Sequence, residues 1–258
     1  LKMIHQTAII DSSAVIGQNV EIGPYAVIGK DVSIGDGTII NSGVVVECAD
    51  IGKNCKLFSH SVVGTAPQDL KYAGEKTKAI IGDGTMIREY VTVNRGTAAH
   101  GETVVGKNCL LMMCSHIGHD CIVGNNVIIA NCVAIAGHVE IEDNVVIGGL
   151  AAVHQFTRIG KSSIIGGGAM VVMDIIPFAQ AQGDRAKLVG LNLIGLKRRQ
   201  TPHEDIEAIR HAYKILFMSK LTLEQALEKL EDEFKNSTPV CDIVKFIKKS
   251  QRGIARPR

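Results

Sequence analysis

Aliphatic residues recur at every sixth position through most of the segment from Ile10 to Val171 of this 258-residue chain. The longest uninterrupted series runs from Val105 to Val171 and has twelve members. A small residue often stands two positions before the aliphatic one, and glycine often follows it directly. A six-residue period does not match the turn of an α-helix, but it fits a short strand followed by a turn.

Regular short strands of this kind predict a triangular prism. Residues two apart lie on the same side of a strand, so the aliphatic residue and the small residue before it both face inward. The glycine that follows is expected to supply the backbone freedom that a corner needs. Three hexads make one coil, and coils stack through parallel strands about 4.8 Å apart. The sequence therefore predicts a mainly β fold, a parallel β-helix of hexapeptide type with a filled interior.

Two polar segments interrupt the repeat. Residues 64–79 place Asp69 and Glu75 where aliphatic residues are needed, and residues 94–104 are polar and rich in glycine. Both segments keep the six-residue phase, so degenerate coils are an alternative. The charged residues at wall positions favour external loops, which are often functional on a regular scaffold.

A helical pattern replaces the repeat beyond Pro177. Capping boxes are predicted at Thr201–Glu204 and Thr222–Gln225, each followed by apolar residues at helical spacing. We therefore expect a β-helix over residues 1–189 and a C-terminal α-helical domain over residues 190–258.

Composition narrows the function classes. The chain is 46% apolar but only 4% aromatic, which predicts an aliphatic core. A net charge of +2 argues against a general nucleic-acid binder. The charge is uneven, because residues 190–258 hold 14 Lys and Arg against 9 Asp and Glu. This basic tail indicates an anionic partner or ligand.

The cysteines indicate the compartment. There are seven, without a CxxC motif, which favours a reduced, cytoplasmic protein. Cys55, Cys109 and Cys121 fall at small inward positions, where a free thiol packs as a small hydrophobe. Neither a signal peptide nor an apolar run long enough for a transmembrane segment is predicted.

Polar residues form a column along one edge of the predicted prism. Equivalent positions of successive coils are separated by three hexads, so position 119 lies over 137 and 155, and position 120 lies over 138. Positions 118 and 136 lie in line with 154. This arithmetic brings together three histidines, one aspartate, one glutamine and one glycine: His119, Asp120, Gly137, His138, His154 and Gln155.

Two chemistries suit such a column, and a pure binding scaffold is a third alternative. A histidine oriented by an aspartate can act as a general base near neutral pH. Three histidines from adjoining coils can instead bind zinc, as in hexapeptide-type carbonic anhydrases. The polar segment 64–79, the basic tail, Asp120 and Gln155 weaken that alternative. A pure binding scaffold would leave the histidines unexplained. Because a filled prism offers no internal pocket, we expect a site between prisms and hence an oligomer.

Five longer sequence segments choose among these functions, because they resemble one known family. Nearly the whole chain, including the helical tail, resembles the UDP-N-acetylglucosamine O-acyltransferase family, through PQDLKYAGE (67–75), SHIGHDC (115–121), IAGHVEI (135–141), AVHQF (152–156) and GLNLIGLKRR (190–199). The resemblance implies a left-handed coil. It also implies transfer of a 3-hydroxyacyl chain from acyl carrier protein to the 3-hydroxyl of UDP-N-acetylglucosamine, the first step of lipid A biosynthesis. The sister N-acyltransferase is the alternative, but it typically carries an extra N-terminal domain, and here the hexads begin by residue 10.

The resemblance also implies roles for individual residues, without a metal or a cofactor. His119 would be the general base, Asp120 would orient it, and the N–H of Gly137 would stabilise the oxyanion. The sugar nucleotide and acyl chain would be lined by Gln68, Asp69, Lys71, His116, His138, His154 and Gln155. Asn192 and Arg198 would reach the nucleotide and its phosphates. Ile194 departs from the family pattern, because some members carry there a glutamate that contacts uridine.

Assembly and chain length follow from the same resemblance. Family members form homotrimers with sites between subunits, and an acidic acyl carrier protein suits the basic tail. Gly167 matches the residue that limits the acyl groove, and Met170 lies close enough to share that role. Glycine would leave the groove open for a chain of roughly fourteen carbons, in which each buried methylene contributes about 0.8 kcal/mol.

Overall fold

A left-handed parallel β-helix forms most of the molecule, which confirms the fold predicted from the repeat and the hand implied by the family resemblance. The computed structural model describes residues 3–258. Sheet 1 contains β1 (Met3–Ile4), β4 (Glu21–Ile22), β7 (Ile39–Ile40), β10 (Lys56–Leu57), β13 (Met86–Ile87), β16 (Leu110–Leu111), β19 (Ile128–Ile129), β22 (Val146–Ile147), β25 (Ile164–Ile165), β27 (Ala179–Gln182) and β28 (Lys187–Leu191).

The other two walls are built in the same way. Sheet 2 contains β2 (Ile9–Ile10), β5 (Val27–Ile28), β8 (Val45–Val46), β11 (Val62–Thr65), β14 (Thr92–Asn94), β17 (His116–Ile117), β20 (Ala134–Ile135), β23 (Ala152–Val153) and β26 (Met170–Val171). Sheet 3 contains β3 (Val15–Ile16), β6 (Val32–Ile34), β9 (Ala49–Ile51), β12 (Lys78–Ile81), β15 (Glu102–Val105), β18 (Ile122–Val123), β21 (Glu140–Ile141) and β24 (Arg158–Ile159).

The interior is packed with the residues that the repeat selects. Ile117 pairs with Ile135, which pairs with Val153, so the register advances by three hexads per coil. All three are 2% exposed or less. The predicted core position of Cys55, Cys109 and Cys121 is confirmed, since none is more than 2% exposed. Burial raises the pKa of the Cys121 thiol to about 12, which makes it an inert core residue.

The predicted reason for the repeated glycine was wrong. The left-handed backbone falls three residues after the wall residue, at positions such as Asp120 (φ 58°) and His138 (φ 60°). The glycine directly after the wall residue is needed for close approach instead. A Cβ on Gly106 would lie 2.5 Å from the carbonyl oxygen of Gly124 in the next coil. Neighbouring coils therefore touch backbone to backbone at these corners.

Two loops leave the prism at the corner that joins sheet 2 to sheet 3, which we call the 2–3 corner. The long loop (residues 66–77) connects β11 to β12, and the short loop (residues 95–101) connects β14 to β15. Both are shorter than the predicted segments, because the flanking strands extend into those segments. The strands on either side keep the regular parallel register of sheet 3, with Ile81 paired to Ile51 and Val105 to Val123.

Four helices follow the prism: α1 (Leu193–Arg198), α2 (His203–Met218), α3 (Leu223–Glu233) and α4 (Thr238–Lys248). The predicted capping box at Thr222 is confirmed. The one at Thr201 was wrong, because Pro202 occupies the N-cap of α2 and no side chain caps that helix.

The chain returns to the prism after α4. Ile254 forms a bridge to Asp174, and Pro257 forms one to Leu188. The domain boundary expected between residues 189 and 190 falls inside β28, which pairs antiparallel with β27. Within residues 3–258, no helix combines the length and the apolar character needed to cross a membrane.

Candidate active site

The 2–3 corner collects most of the predicted catalytic residues. His119 follows wall residue Ile117 by two positions, and Gly137 and Gln155 occupy the same place on the next two coils. The backbone N–H of His138 donates to the carbonyl oxygen of His119 at 2.9 Å, which fixes the stacking of the two coils. The column derived from the three-hexad period therefore exists, and both loops emerge beside it.

His119 and Asp120 form a hydrogen-bonded pair. Nδ1 of His119 lies 2.7 Å from Oδ2 of Asp120. The Asp120 side chain is fully buried, whereas 15% of the His119 side chain is exposed. An ionised carboxylate can only accept hydrogen bonds, so Nδ1 carries the proton and Nε2 holds the free lone pair. This is the arrangement that a general base requires.

The short loop closes over Asp120 and supplies donors to its carboxylate. The N–H of Thr97 donates to Oδ1 at 2.9 Å, and the N–H of His100 donates to it at 3.3 Å. The Thr97 hydroxyl lies 2.7 Å from Oδ2. Burial on its own raises the pKa of Asp120, but the hydrogen bonds from His119 and Thr97 outweigh burial and hold the pKa below its usual range. Asp120 is therefore ionised beside the imidazole.

An arginine that the sequence did not single out ties the two loops together. Nε of Arg95 donates to the Tyr72 hydroxyl at 3.0 Å, and Nη1 donates to the carbonyl oxygen of Gly64 at 3.0 Å. Tyr72 in turn donates to the carbonyl oxygen of Glu75 at 2.9 Å. This contact holds the long loop, with its predicted binding residues, against the short loop.

Two further imidazoles lie on either side of the pair. His138 packs edge-on to His119 with ring centroids 5.0 Å apart, and it stacks on Phe156 at 4.6 Å. Burial lowers the pKa of His138, and the charge of Asp120 only partly opposes this. Nδ1 of His116 lies 2.7 Å from the Thr92 hydroxyl, and burial lowers the pKa of His116 as well. Both side chains are thus disposed to stay neutral and to exchange hydrogen bonds with a ligand.

Gly137 lies directly beside the reactive edge of His119. A Cβ at this position would lie 2.7 Å from both Nε2 and Cε1 of the imidazole, so any side chain would obstruct the base. The N–H of Gly137 donates to no other atom among the described residues. At the corner between sheets 3 and 1, the equivalent N–H groups donate to side chains of the next coil, as Lys107 does to Asn125.

The structure brings together a different set of potential zinc ligands from the three histidines that the zinc alternative requires. One nitrogen of His119, one carboxylate oxygen of Asp120 and one nitrogen of His138 lie within 4.8 Å of one another. His154 does not belong to this group. It is exposed, and its Nδ1 lies 3.1 Å from the carbonyl oxygen of Gln155. The predicted set of three histidines is therefore not brought together in the described part of the chain.

The long loop places its predicted residues at the rim. Gln68 and Lys71 are exposed, and Asp69 is half-buried. Asp69 is close enough for its charge to raise the pKa of His138 slightly against the effect of burial. Asp69 therefore lies near the histidine column, and the roles of all three residues in binding stay predictions.

Asn192 and Arg198 lie elsewhere on the prism. Asn192 caps α1 by accepting the N–H of Gly195 at 3.1 Å, and it donates to the carbonyl oxygen of Ser162 at 2.9 Å. Arg198 is exposed at the end of that helix, and Ile194 is 68% exposed. Ser162 belongs to the corner between sheets 3 and 1, so one chain does not unite these residues with His119.

Comparison with known proteins identifies the chain. A family model described as Udp N-acetylglucosamine O-acyltransferase, Domain 2, matches residues 174–255, and a bacterial transferase hexapeptide model matches residues 102–137. The acyl-[acyl-carrier-protein]–UDP-N-acetylglucosamine O-acyltransferase of Chlorobaculum parvum is 57% identical over 98% of this chain and 97% of its own length. The corresponding protein of Chlorobaculum tepidum is 58% identical over 95% of this chain and 94% of its own.

Solved structures of UDP-N-acetylglucosamine acyltransferases are similar to this chain over almost its whole length. The LpxA structure from Acinetobacter baumannii superposes with a TM-score of 0.95 at 41% identity, covering 98% of this chain and all of its own. LpxA of Bacteroides fragilis, a UDP-N-acetylglucosamine acyltransferase, gives 0.95 at 42% identity with the same coverage. The fold and the histidine–aspartate corner define a hexapeptide-repeat acyltransferase. The chain belongs to the acyl-[acyl-carrier-protein]–UDP-N-acetylglucosamine O-acyltransferase family.

The buried Asp120 carboxylate generates a prediction on pH. Because its pKa is depressed in the folded state, Asp120 contributes stability above its unfolded pKa of about 3.9, and this stability is lost as the pH falls. Asp120→Asn should lower the unfolding free energy by about 1.5–3 kcal/mol near neutral pH, the usual scale for hydrogen bonds to charged groups. Urea unfolding should show this deficit shrinking below about pH 4. A deficit that is constant with pH, or that grows in acid, would contradict an ionised Asp120.

Proposed function

We propose that this chain transfers a 3-hydroxyacyl group from the thioester of acyl carrier protein to the 3-hydroxyl of UDP-N-acetylglucosamine, the first step of lipid A biosynthesis. The observation that carries the mechanism is the 2.7 Å contact between His119 and a fully buried Asp120. The names of the curated relatives support the two substrates. A cytoplasmic location is part of the proposal, and the seven free cysteines favour it.

The reaction proceeds by direct attack. Nε2 of His119 takes the proton from the sugar 3-hydroxyl, and that oxygen attacks the thioester carbonyl carbon. Asp120 keeps the ring oriented and stabilises the imidazolium that forms. The N–H of Gly137 donates to the oxyanion of the tetrahedral intermediate. The carbon–sulfur bond then breaks, His119 returns its proton to the departing thiolate, and no covalent acyl-enzyme forms.

The outer face of sheet 2 suits the acyl chain. His116, Ala134, Ala152 and Met170 are paired in register on successive coils and form one outward column. Three coil steps span about 14 Å at about 4.8 Å per step. Ala134 and Ala152 keep this column shallow between the imidazole and Met170, and Gly167 lies at the adjoining corner. We therefore place the far end of the acyl groove at Gly167 and Met170.

A second subunit supplies the other wall. The outward residues of sheet 1 are apolar from Met86 through Leu110, Ile128 and Val146 to Ile164. Those of sheet 3 include Ser33, Asp50, Glu140 and Arg158. Sheet 1 of one subunit packing on sheet 2 of the next would cover both apolar faces. The same packing brings Asn192 and Arg198 towards a neighbour's His119, and we propose the homotrimer that the family resemblance implies.

The donor reaches the same centre through a groove of about 630 Å³. His138, Phe156, Lys248 and Lys249 are among the residues that line it. Acyl carrier protein is acidic, so these lysines would provide a complementary surface for the donor. The basic tail predicted from the sequence contributes these lysines.

The proposed base is tested by substitution. His119→Ala should reduce kcat by at least about 10²-fold with the fold intact, the usual scale for loss of a general base. His116→Ala should cost less, because His116 contacts ligand without taking the proton. Acyl transfer is followed by mass spectrometry with UDP-N-acetylglucosamine and 3-hydroxyacyl carrier protein. Activity of His119→Ala within a few-fold of wild type would reject the assignment. Stoichiometric zinc, with activity lost on chelation, would favour the hydratase alternative.

The assembly is tested at one apolar position. Ile128→Lys places a charge in the middle of the outward stripe of sheet 1, and burying an unpaired ammonium is strongly unfavourable. We expect sedimentation to show monomers with little activity. Ile122→Lys is the matched control, because Ile122 faces outward from sheet 3 and is already 45% exposed. A fully active wild-type monomer, or an unaffected Ile128→Lys trimer, would contradict the packing.

The chain-length limit is tested at Gly167. This glycine is exposed and has no left-handed φ, and a Cβ there would lie 3.3 Å from the carbonyl oxygen of Gly149. Gly167→Met should shift selectivity by orders of magnitude towards shorter donors among acyl chains of about ten, twelve and fourteen carbons, because several methylenes lose their site. Gly149→Met, one coil nearer to His116, should shorten the preferred chain further. An unchanged preference in Gly167→Met would leave Met170 as the next candidate.

A further inference from the structure

Thr97 and the proposed base, His119, both form hydrogen bonds with the Asp120 carboxylate. Its hydroxyl lies 2.7 Å from Oδ2, the same oxygen that lies 2.7 Å from Nδ1 of His119. Its backbone N–H donates to Oδ1 at 2.9 Å. Thr97 is only 8% exposed, so both contacts are shielded from bulk water. One residue of the short loop thus holds both oxygens of the carboxylate.

The hydroxyl proton of Thr97 has a fixed direction. Oγ1 accepts the N–H of Ala99 at 3.2 Å, which occupies the side of the oxygen facing the loop. The carboxylate of Asp120 has no proton to give, so the hydroxyl must donate to Oδ2. Oδ2 therefore receives two hydrogen bonds, one from Thr97 and one from the imidazole.

These two hydrogen bonds compete for the same negative charge. A donor on Oδ2 stabilises the carboxylate and makes it a weaker partner for a proton on the imidazole. It also prevents the carboxylate from rotating about its Cβ–Cγ bond, which would carry Oδ2 away from Nδ1. Because Oδ2 of Asp120 lies 2.7 Å from Nδ1 of His119, a group that acts on the carboxylate also acts on the imidazole.

We propose that the Thr97 hydroxyl is a positioning group for the acyl transfer, fixing the Asp120 carboxylate so that it orients the imidazole without retaining the transferred proton. This inference rests on the proposed function of His119 as general base. It assigns a role in the reaction to the short loop, which does not itself contact the reacting atoms.

A neighbouring threonine provides the contrast. Thr103 is fully buried, and its hydroxyl accepts the backbone N–H of Asp120 at 2.8 Å. It therefore supports the backbone of the same residue without touching the carboxylate. Loss of this hydroxyl leaves a buried N–H without a partner and should destabilise the fold.

The experiment compares Thr97→Val, Thr97→Ser and Thr103→Val by pH profile, thermal unfolding and steady-state kinetics. Thr97→Val keeps the shape and removes the donor, so kcat should fall about 10- to 100-fold, the scale of a hydrogen bond to a charged group. KM for the sugar nucleotide should stay within about twofold. The acid limb of the kcat profile should move to higher pH, because the carboxylate then stabilises the imidazolium more strongly. Thr97→Ser should restore both. Thr103→Val should unfold at a lower temperature with the acid limb in place.

A double-mutant cycle separates positioning from a general effect on the fold. In an Asp120→Asn background, Thr97→Val should cause little further loss, because the hydroxyl acts through the carboxylate. Additive losses, equal losses in Thr97→Val and Thr97→Ser, or an unmoved acid limb would overturn the inference. If His119→Ala retains activity, the proposed function itself fails. If His119→Ala is inactive while Thr97→Val matches wild type, only the role of Thr97 fails.

Discussion

The parallel register between coils is the constraint on which the structure depends. In the regular coils, each residue lies beside the residues three hexads before and after it in the sequence. The hydrogen bonds of parallel strands set the spacing between these coils at about 4.8 Å. At corners such as the one formed by Gly106 and Gly124, this spacing brings the backbones of neighbouring coils so close that a Cβ on Gly106 would lie 2.5 Å from the carbonyl oxygen of Gly124. It also aligns residues into columns, so that a catalytic group on one coil has fixed partners on the next.

The 2–3 corner differs from the corner between sheets 3 and 1 in the side chains of one such column. At the corner between sheets 3 and 1, Asp83, Asn125 and Asp143 each accept an N–H from the preceding coil. At the 2–3 corner the same column contains His119, Gly137 and Gln155. The equivalent acceptor for the N–H of Gly137 would be the side chain of Gln155 on the next coil, which does not accept it, so this N–H is available to a ligand. The absence of a side chain at Gly137 itself uncovers the imidazole edge of His119. This column thus supplies the proposed oxyanion donor and the proposed base on the regular backbone of the coils.

The parts of the site that follow the period could be predicted from the sequence, and the parts that leave it could not. The stacking of His119 on Gly137, and of Asp120 on His138, follows from counting three hexads along the chain. The contacts of Arg95 and Thr97 lie in loops, whose path the period does not determine, although the polarity of residues 94–104 did indicate function. The predicted role of the glycine that follows the wall residue was wrong because a glycine at a corner can be required either by a positive φ or by a close approach of two backbones. Only the structure shows that the positive φ falls on Asp120 and its equivalents.

Some of the proposed site residues lie together within one chain, and others do not. The proposed base, its carboxylate and the proposed oxyanion donor lie together within one chain, because burying Asp120 requires contacts as short and fixed as those from Thr97 and His119. The residues proposed to bind the nucleotide are separated from this centre, since Asn192 and Arg198 lie at another corner and Asn192 is already engaged in capping α1. In the proposed function, an isolated chain would therefore hold a preorganised base beside two uncovered apolar faces and an incomplete nucleotide site. The proposed assembly would cover those faces and complete the site in one step, which would couple the hydrophobic driving force of association to the capture of substrate.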